Sequence, residues 1–526
     1  MNPIGCLRML AAACALPFAC TAALALERVE LIGGSTMVGT ILERSDRLLS
    51  IQLNDGPVLE IPTDQIVNVE DIVNELRFAG SNTVGERLVP ALAEAYAREN
   101  GASQLRWKLG RDANEKGLEV GRNPANLPDL IDIRAHGSST AYPALAEKSA
   151  DIGMSSRPIK DDEASVLATL GDMRSADAEH IVALDGLAII VHPDNPISTL
   201  SKQEIAEIFA CQKTDWQDIG GDAGPIRIYA RDAKSGTYDT FNTLVLKPLG
   251  LELCDATTRI ESSSQLADSV ARDPNAIGFI GLGYTLDAKP IAIEECAWGY
   301  SPSTFSVKTE EYPFARRLFL YAPLMTSSPW VRDFVDFALS DGSQAIIRDV
   351  DFVDLTIDTT EADSATYRLA KIEAAGRTAQ QLSVVNELLG ETADASRLSA
   401  TFRFRPSISN LDEKDALDNR ALRDLGRLAR YLEQPIEDGA KLLLFGFADS
   451  SGDYGANLAL SEKRAKAIAD KLASLGIDAS AVRGFGEEAP VACNDTPAGR
   501  AKNRRVEVWL RSPDTPLDRR LTKVPM

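Results

Sequence analysis

Arg231 is followed by Asp232, Ala233 and Lys234 and then by Ser235-Gly236-Thr237. A guanidinium donates to an oxyanion through a planar fork. Two hydroxyls add donors without bulk, and glycine lets backbone N–H groups come close. If this loop opens a helix, the unpaired N–H groups and partial positive charge of the first turn favour an anion further. Three other segments end in the same kind of residue: Gly80-Ser81-Asn82-Thr83, Gly137-Ser138-Ser139-Thr140, and Asp151-Ile152-Gly153-Met154-Ser155-Ser156 followed by Arg157. Any one such serine or threonine is most often only a helix N-cap. Four strand ends together, one carrying the arginine loop, point to a cradle for a tetrahedral oxyanion.

A second constellation lies near the C-terminus. Gly446-Phe447-Ala448-Asp449 closes one strand, and Asn457 and Arg464 follow on a helical stretch, with Arg504 and Arg505 further on. A carboxylate opposite a guanidinium grips a zwitterion, taking its ammonium and its carboxylate respectively. A plain Asp449–Arg464 salt bridge is the competing reading. Three histidines (His136, His180 and His192) leave little for a metal centre, and no metal or cofactor is expected. A hydrolase using Ser138 and His136 is disfavoured, since sequence neighbours rarely form such a pair and no G-x-S-x-G elbow is present. The chain therefore reads as a binding protein and not an enzyme.

The elements that position these residues fall into three domains, within the range that 526 residues allow at roughly 100–200 per domain. A net charge of −21 argues against nucleic acid as a partner. Residues 1–25 read as an export signal: Arg8, an apolar run, and Ala23-Leu24-Ala25 for cleavage, with a membrane anchor as the competing reading. No later run reaches the ~18 apolar residues of a membrane span. Residues 26–72 alternate as a small all-β, barrel-like module with turns at Gly33-Gly34 and Asn54-Asp55-Gly56-Pro57. Residues 75–358 alternate strand and helix, implying an α/β sheet whose strand ends hold ligand. Pro90 should kink the helix that starts near Val84. Residues 359–397 read as a helical linker that leaves the two sites independent, and 398–515 as a compact α/β domain. Past the signal, Cys211, Cys254, Cys296 and Cys493 allow three pairings. Cys211–Cys254 is favoured because both fall in one lobe, with Cys296 a competitor and Cys493 equally well a free thiol.

On the four strand-end motifs, residues 75 to about 355 resemble the PstS family, the phosphate-binding proteins of ABC transporters. The resemblance implies a two-lobed type II periplasmic-binding-protein domain. Its ligand donors would be Thr83 and the Val84 N–H, Ser138, and the Arg231, Ser235, Gly236 and Thr237 loop, with Asp232 placed to hold Arg231. Ser81, Ser139 and Arg157 would be additional contacts. Ser156 stands where the family carries an aspartate that accepts a proton from phosphate, which weakens the expected rejection of sulfate.

Across roughly 398–512 the chain resembles the OmpA-like peptidoglycan-binding domain, on Gly446–Asp449, Asn457, Leu460–Ala465, Gly484–Glu487 and Gly499–Glu507. That resemblance implies that Asp449 and Arg464 grip the diaminopimelate of a peptide stem, helped by Asn457 and by Arg504 or Arg505. Together the two resemblances imply a periplasmic protein at the cell wall or outer membrane that captures phosphate for an ABC permease. The alternative is a wall-anchored sensor or structural protein using the same fold without transport.

Overall fold

A computed structural model describes residues 26–512 apart from 33–35, 54–56, 73, 111, 113, 122–126, 234, 261, 297, 325–327, 361–376, 405–416 and 434–438. The export signal read over 1–25 lies outside the described residues, as do Lys234 and residues 513–515. Among the described residues, no helix is long and apolar enough to cross a membrane.

The alternation over 26–72 folds into a five-stranded antiparallel sheet. Its strand order is Val58–Pro62, Leu48–Leu53, Thr36–Arg44, Leu26–Leu31 and Ile66–Ile72. Every second residue turns inward, and Val29, Leu49, Ile51 and Ile61 form the core. The last strand, Ile66–Ile72, returns to pair with the first, Leu26–Leu31, and the two end strands of the sheet do not pair with one another among the described residues.

The central domain is built on one continuous sheet. Strands Glu75–Gly80, Leu130–Arg134 and Ile152–Ser155 pair in parallel in one lobe, and Arg227–Arg231, Ala276–Gly281 and Thr258–Ile260 do so in the other. Two antiparallel strands, Glu179–Val191 and Ala315–Tyr321, join the halves. The first pairs with Ala276–Gly281 in the second lobe, and the second with Ile152–Ser155 in the first. The chain thus crosses between the lobes along these two strands. Pro90 does not kink a helix interior. It lies in the first turn of helix Val89–Glu99, after a wide π-type turn over Val84–Leu88. Having no N–H to donate, proline fits where the hydrogen-bond pattern changes.

The C-terminal sheet orders Thr359–Thr360, Ala395–Arg403, Arg505–Arg511, Lys441–Gly446 and Ala481–Gly484. Helices Asn419–Glu433 and Tyr454–Ala473 cover it with Leu425, Leu428, Ala465, Ile468 and Leu472. Within the expected linker, Ala379–Thr392 is a helix, but both ends of the segment join this sheet: Thr359 pairs with Leu398 and Thr360 with Arg397. Residues 361–376 lie outside the described residues. The independence expected of the linker is therefore corrected, because polar contacts tie this domain to the central one. Arg317 of a crossing strand meets Asp418 at 2.8 Å, and Arg397 meets Glu311 at 2.6 Å. Cys211 pairs with Cys254 within one lobe, and Cys296 with Cys493 between domains, each at 5.6 Å between Cα atoms. Cys493 is thus not a free thiol.

Candidate functional site

Three strand ends of the first lobe are stitched together by their own loops. Gly80 has φ +137°, and a Cβ there would lie 2.0 Å from the Met154 carbonyl oxygen, so only glycine fits. That approach lets the Ser81 N–H donate to Met154 O at 2.9 Å, while the Gly137 N–H donates to Gly80 O at 2.7 Å. The Ser156 N–H donates to Ser138 Oγ at 3.1 Å, and the two hydroxyls lie 3.2 Å apart. Ser81, Thr83, Ser138 and Ser156 are all buried.

The second lobe supplies Arg231 at its strand end. Ser235 caps the next helix, accepting from the Thr237 N–H at 3.2 Å. Arg259 donates to the Arg231 carbonyl at 2.8 Å and stacks on Tyr238 at 4.5 Å, which fixes the loop from below. The Arg231 side chain is only 6% exposed. It donates through Nη1 to Ser263 Oγ, and Asp232 reaches it only at 3.9 Å. Its Nε is buried with no hydrogen-bond partner. A buried cation with an unused donor is costly unless something anionic meets it.

The two halves face each other across two cavities. A small one of about 40 Å³ is walled by Thr83, Arg231, Thr237 and Ser263 and by the carboxylates Glu86, Asp185 and Asp351, among others. A larger one of about 670 Å³ is walled by Ser81, Ser138, Ser139, Ser156, Arg157 and Ser235 among others. The expected donors thus divide between two adjoining spaces. Val84 and Gly236 stand beside Thr83 and Thr237 at the two helix starts and offer backbone N–H groups only. Arg157 is not a spare cation, since Glu163 takes its guanidinium at 2.8 and 2.5 Å.

Two charged residues not singled out in the sequence meet at the small cavity: Asp185, which lines it, and Arg316 behind it. Asp185 forms one wall, and both contacts from Arg316, at 2.9 and 2.7 Å, fall on its Oδ2. Arg316 also donates to Thr83 Oγ1 at 3.0 Å. In the sequence Asp185 is the lone charge in an apolar run and Arg316 is the second residue of the strand Ala315–Tyr321, but nothing local says that the two meet. His136 is tied to Glu115 at 3.2 Å, and its neighbour Ser138 bonds Ser156, so no Ser–His pair forms. His180 is buried against Arg423, and burial first, then that cation, holds its imidazole down to about 3.

In the C-terminal domain, Asp449 pairs with Arg504 at 2.9 Å and accepts from the Ser451 N–H at 2.9 Å. Burial pushes the Asp449 carboxyl up, but these hydrogen bonds outweigh it and hold the group below its ordinary value. Arg464 does not pair with Asp449 here. It donates to Phe447 O at 3.3 Å and leaves its Nε unpartnered, as does Arg504. Burial, then the neighbouring Arg504, lowers the Arg464 guanidinium to about 10. Asn457 is held by Glu487 at 2.9 Å. Arg505 points elsewhere: it is fully buried, bonded to Glu507 at 2.8 Å and stacked on Phe447 at 4.0 Å. Of the two arginines weighed in the sequence, Arg504 is the one beside Asp449. No cluster of metal-ligating side chains occurs among the described residues.

Two lobes on one sheet, two crossing strands and opposed hydroxyl-rich strand ends define a bilobal binding protein of the periplasmic class. Residues 69–342 match the model of the PBP superfamily domain, and 411–504 match the OmpA family. The chain is 32% identical over 287 residues to the phosphate-binding protein PstS of Pseudomonas aeruginosa, covering 49% of this chain and 86% of that protein. It is 29% identical over 308 residues to PstS of Bacillus subtilis, covering 58% and 88%. Among solved structures, an ABC-type phosphate transport receptor from Vibrio cholerae aligns at 21% identity and TM-score 0.41, over 53% of this chain and 99% of that one. The chain belongs to the PBP superfamily, within the PstS family, and carries an OmpA-family domain toward its C-terminus.

Proposed function

We propose that the cleft binds phosphate, or an oxyanion of like shape, while the C-terminal domain holds the protein to peptidoglycan peptide stems. Phosphate would then be captured at the wall and passed to an ABC permease. The carrying observation is Arg231, buried between hydroxyl-rich strand ends with a donor unmet by protein. The relatives' names as phosphate-binding proteins support the ligand. The OmpA-family match and the Asp449–Arg504–Arg464 cluster support the wall partner. Two disulfides support an oxidising compartment such as the periplasm. His136 bonds Glu115 and Ser138 bonds Ser156, which supports binding over turnover.

Calorimetry on the full chain tests this: saturable phosphate heat, lost in Arg231→Ala, is expected. Silence with phosphate beside a clear signal for another oxyanion overturns the ligand assignment. The sensor reading is favoured by one observation, the docking of the wall-binding domain onto the cleft domain. Phosphate uptake in a deletion strain separates the two. Reduced uptake supports capture, and unchanged uptake with altered envelope integrity supports sensing.

A further inference from the structure

The C-terminal domain touches both lobes and the crossing segment between them. On the first lobe, the Asn419 amide donates to Arg174 O and Glu179 Oε1 at 3.0 Å each, and Arg430 pairs with Asp341 at 2.9 Å. On the second lobe, the Tyr300 hydroxyl donates to Val491 O at 2.9 Å, Trp298 packs on the core around Phe445 and Trp509, and Cys296 is bonded to Cys493. Between these, Glu310 lies just before the returning strand. It accepts from Arg317 of its own domain and from Arg403 of the other at 2.6 Å, and forms an ion pair with Arg420 of the other at 3.2 Å. Arg403 and Arg420 also donate to the Thr309 and Lys308 carbonyls at 2.6 Å each.

These contacts fix three bodies relative to one another. If the lobes swing apart about the crossing strands, the first-lobe anchors and the second-lobe anchors cannot both follow one rigid domain. The lobes also meet across the cleft, where the Arg87 guanidinium lies 4.3 Å over the Tyr284 ring. The docked arrangement and the apposed cleft therefore belong to one state.

We propose that the C-terminal domain is a brace across the hinge of the binding domain, which holds the lobes together and slows release of the cleft's ligand. By reciprocity, a ligand that closes the lobes tightens the docking of the wall-binding domain, and wall contacts that disturb the docking loosen the cleft. The regulatory part rests on the anion-binding reading above, whereas the mechanical part does not.

The experiment uses the full chain, with one anchor set cut at a time: Cys296→Ser with Tyr300→Phe on the second lobe, and Arg430→Ala with Asn419→Ala on the first. Small-angle scattering of the phosphate-free protein reads lobe opening without any ligand. Stopped-flow release of phosphate reads retention, and circular dichroism confirms folding. Either double variant should show a larger radius of gyration than wild type. Phosphate should leave it at least about fivefold faster, the equivalent of one lost interdomain hydrogen bond. Cutting the Cys296–Cys493 bond with a mild reductant should move both readouts in the same direction. Folded variants with wild-type scattering overturn the brace. Opened variants with unchanged phosphate release overturn its control of the cleft. A wild-type chain that takes up no phosphate, yet opens when cut, overturns the ligand reading and leaves the mechanical brace standing.

Discussion

Replacing Arg231 by alanine should act oppositely on stability and on ligand binding. In the free protein the Arg231 side chain is 6% exposed, its nearest carboxylate, on Asp232, is 3.9 Å away, and its Nε has no partner. Such a cation costs desolvation that its surroundings do not repay. Its removal should leave the phosphate-free melting temperature unchanged or slightly higher. Bound phosphate changes the balance. At about 4 Å and an effective dielectric near 20, two unit charges attract by about 4 kcal/mol. The hydrogen bond to Ser263 must be surrendered in part, which leaves about 3 kcal/mol, or somewhat over a hundredfold in Kd. A ligand at 100 times its Kd raises stability by about 2.7 kcal/mol, and the variant should lose nearly all of it at that concentration. Arg231→Lys keeps the charge but not the fork, and should fall between, about tenfold weaker. The assay is thermal unfolding with and without phosphate, beside calorimetry. An alanine variant that melts lower without ligand, yet retains its phosphate shift, would refute the assignment of Arg231 as an anion donor.

Ser156→Asp places a carboxylate beside the Ser138 hydroxyl, now 3.2 Å away. Competition calorimetry should show sulfate weakened at least about tenfold relative to phosphate, because only phosphate brings a proton to that oxygen; equal weakening of both ions contradicts the placement. Asp449→Ala combined with Arg464→Ala should abolish co-sedimentation with purified sacculi, and undiminished binding locates the wall site elsewhere. His180 is held neutral to about 3, so the unfolded chain binds a proton that the folded one refuses. The stability this group supplies is complete above an unfolded value near 6.5 and is lost as pH falls toward 3, about 2 kcal/mol by pH 5. Chemical denaturation of His180→Gln should show a flatter pH dependence over that window. Glu310 acts in the same direction lower down: burial alone would raise its carboxyl, but Arg317, Arg420 and Arg403 hold it well below the usual range. Glu310→Gln should loosen the docking of the C-terminal domain at neutral pH, seen as a larger radius of gyration by small-angle scattering; an unchanged radius contradicts the role of this ion cluster.

The strand-end loops were legible because their signal is local: glycine, hydroxyl and helix start lie within a few residues. Asp185 and Arg316 were not, because the crossing strands read as apolar core and their charges count only once the lobes bring Thr83 alongside. The helix Asn419–Glu433 shows the same limit. Its leucine stripe predicted its packing on the sheet, but Arg420, Asp424 and Arg427 on its other side are also buried. A charged face reads as solvent-exposed until a second domain covers it. In a chain of net −21, a run of arginines facing acidic residues far away in sequence was the trace of that cover.

The two disulfides differ in span, 43 residues for Cys211–Cys254 and 197 for Cys296–Cys493. If the chain is exported, as proposed, it emerges N-terminus first, and Cys211 meets Cys254 long before Cys493 crosses the membrane. Once that first bond closes, the three possible pairings collapse to one, and Cys296 waits as a thiol for the last domain to arrive. The longer bond then records completion: only a chain translocated almost to its end can carry it, and a truncated product would be marked by an unpaired cysteine at residue 296.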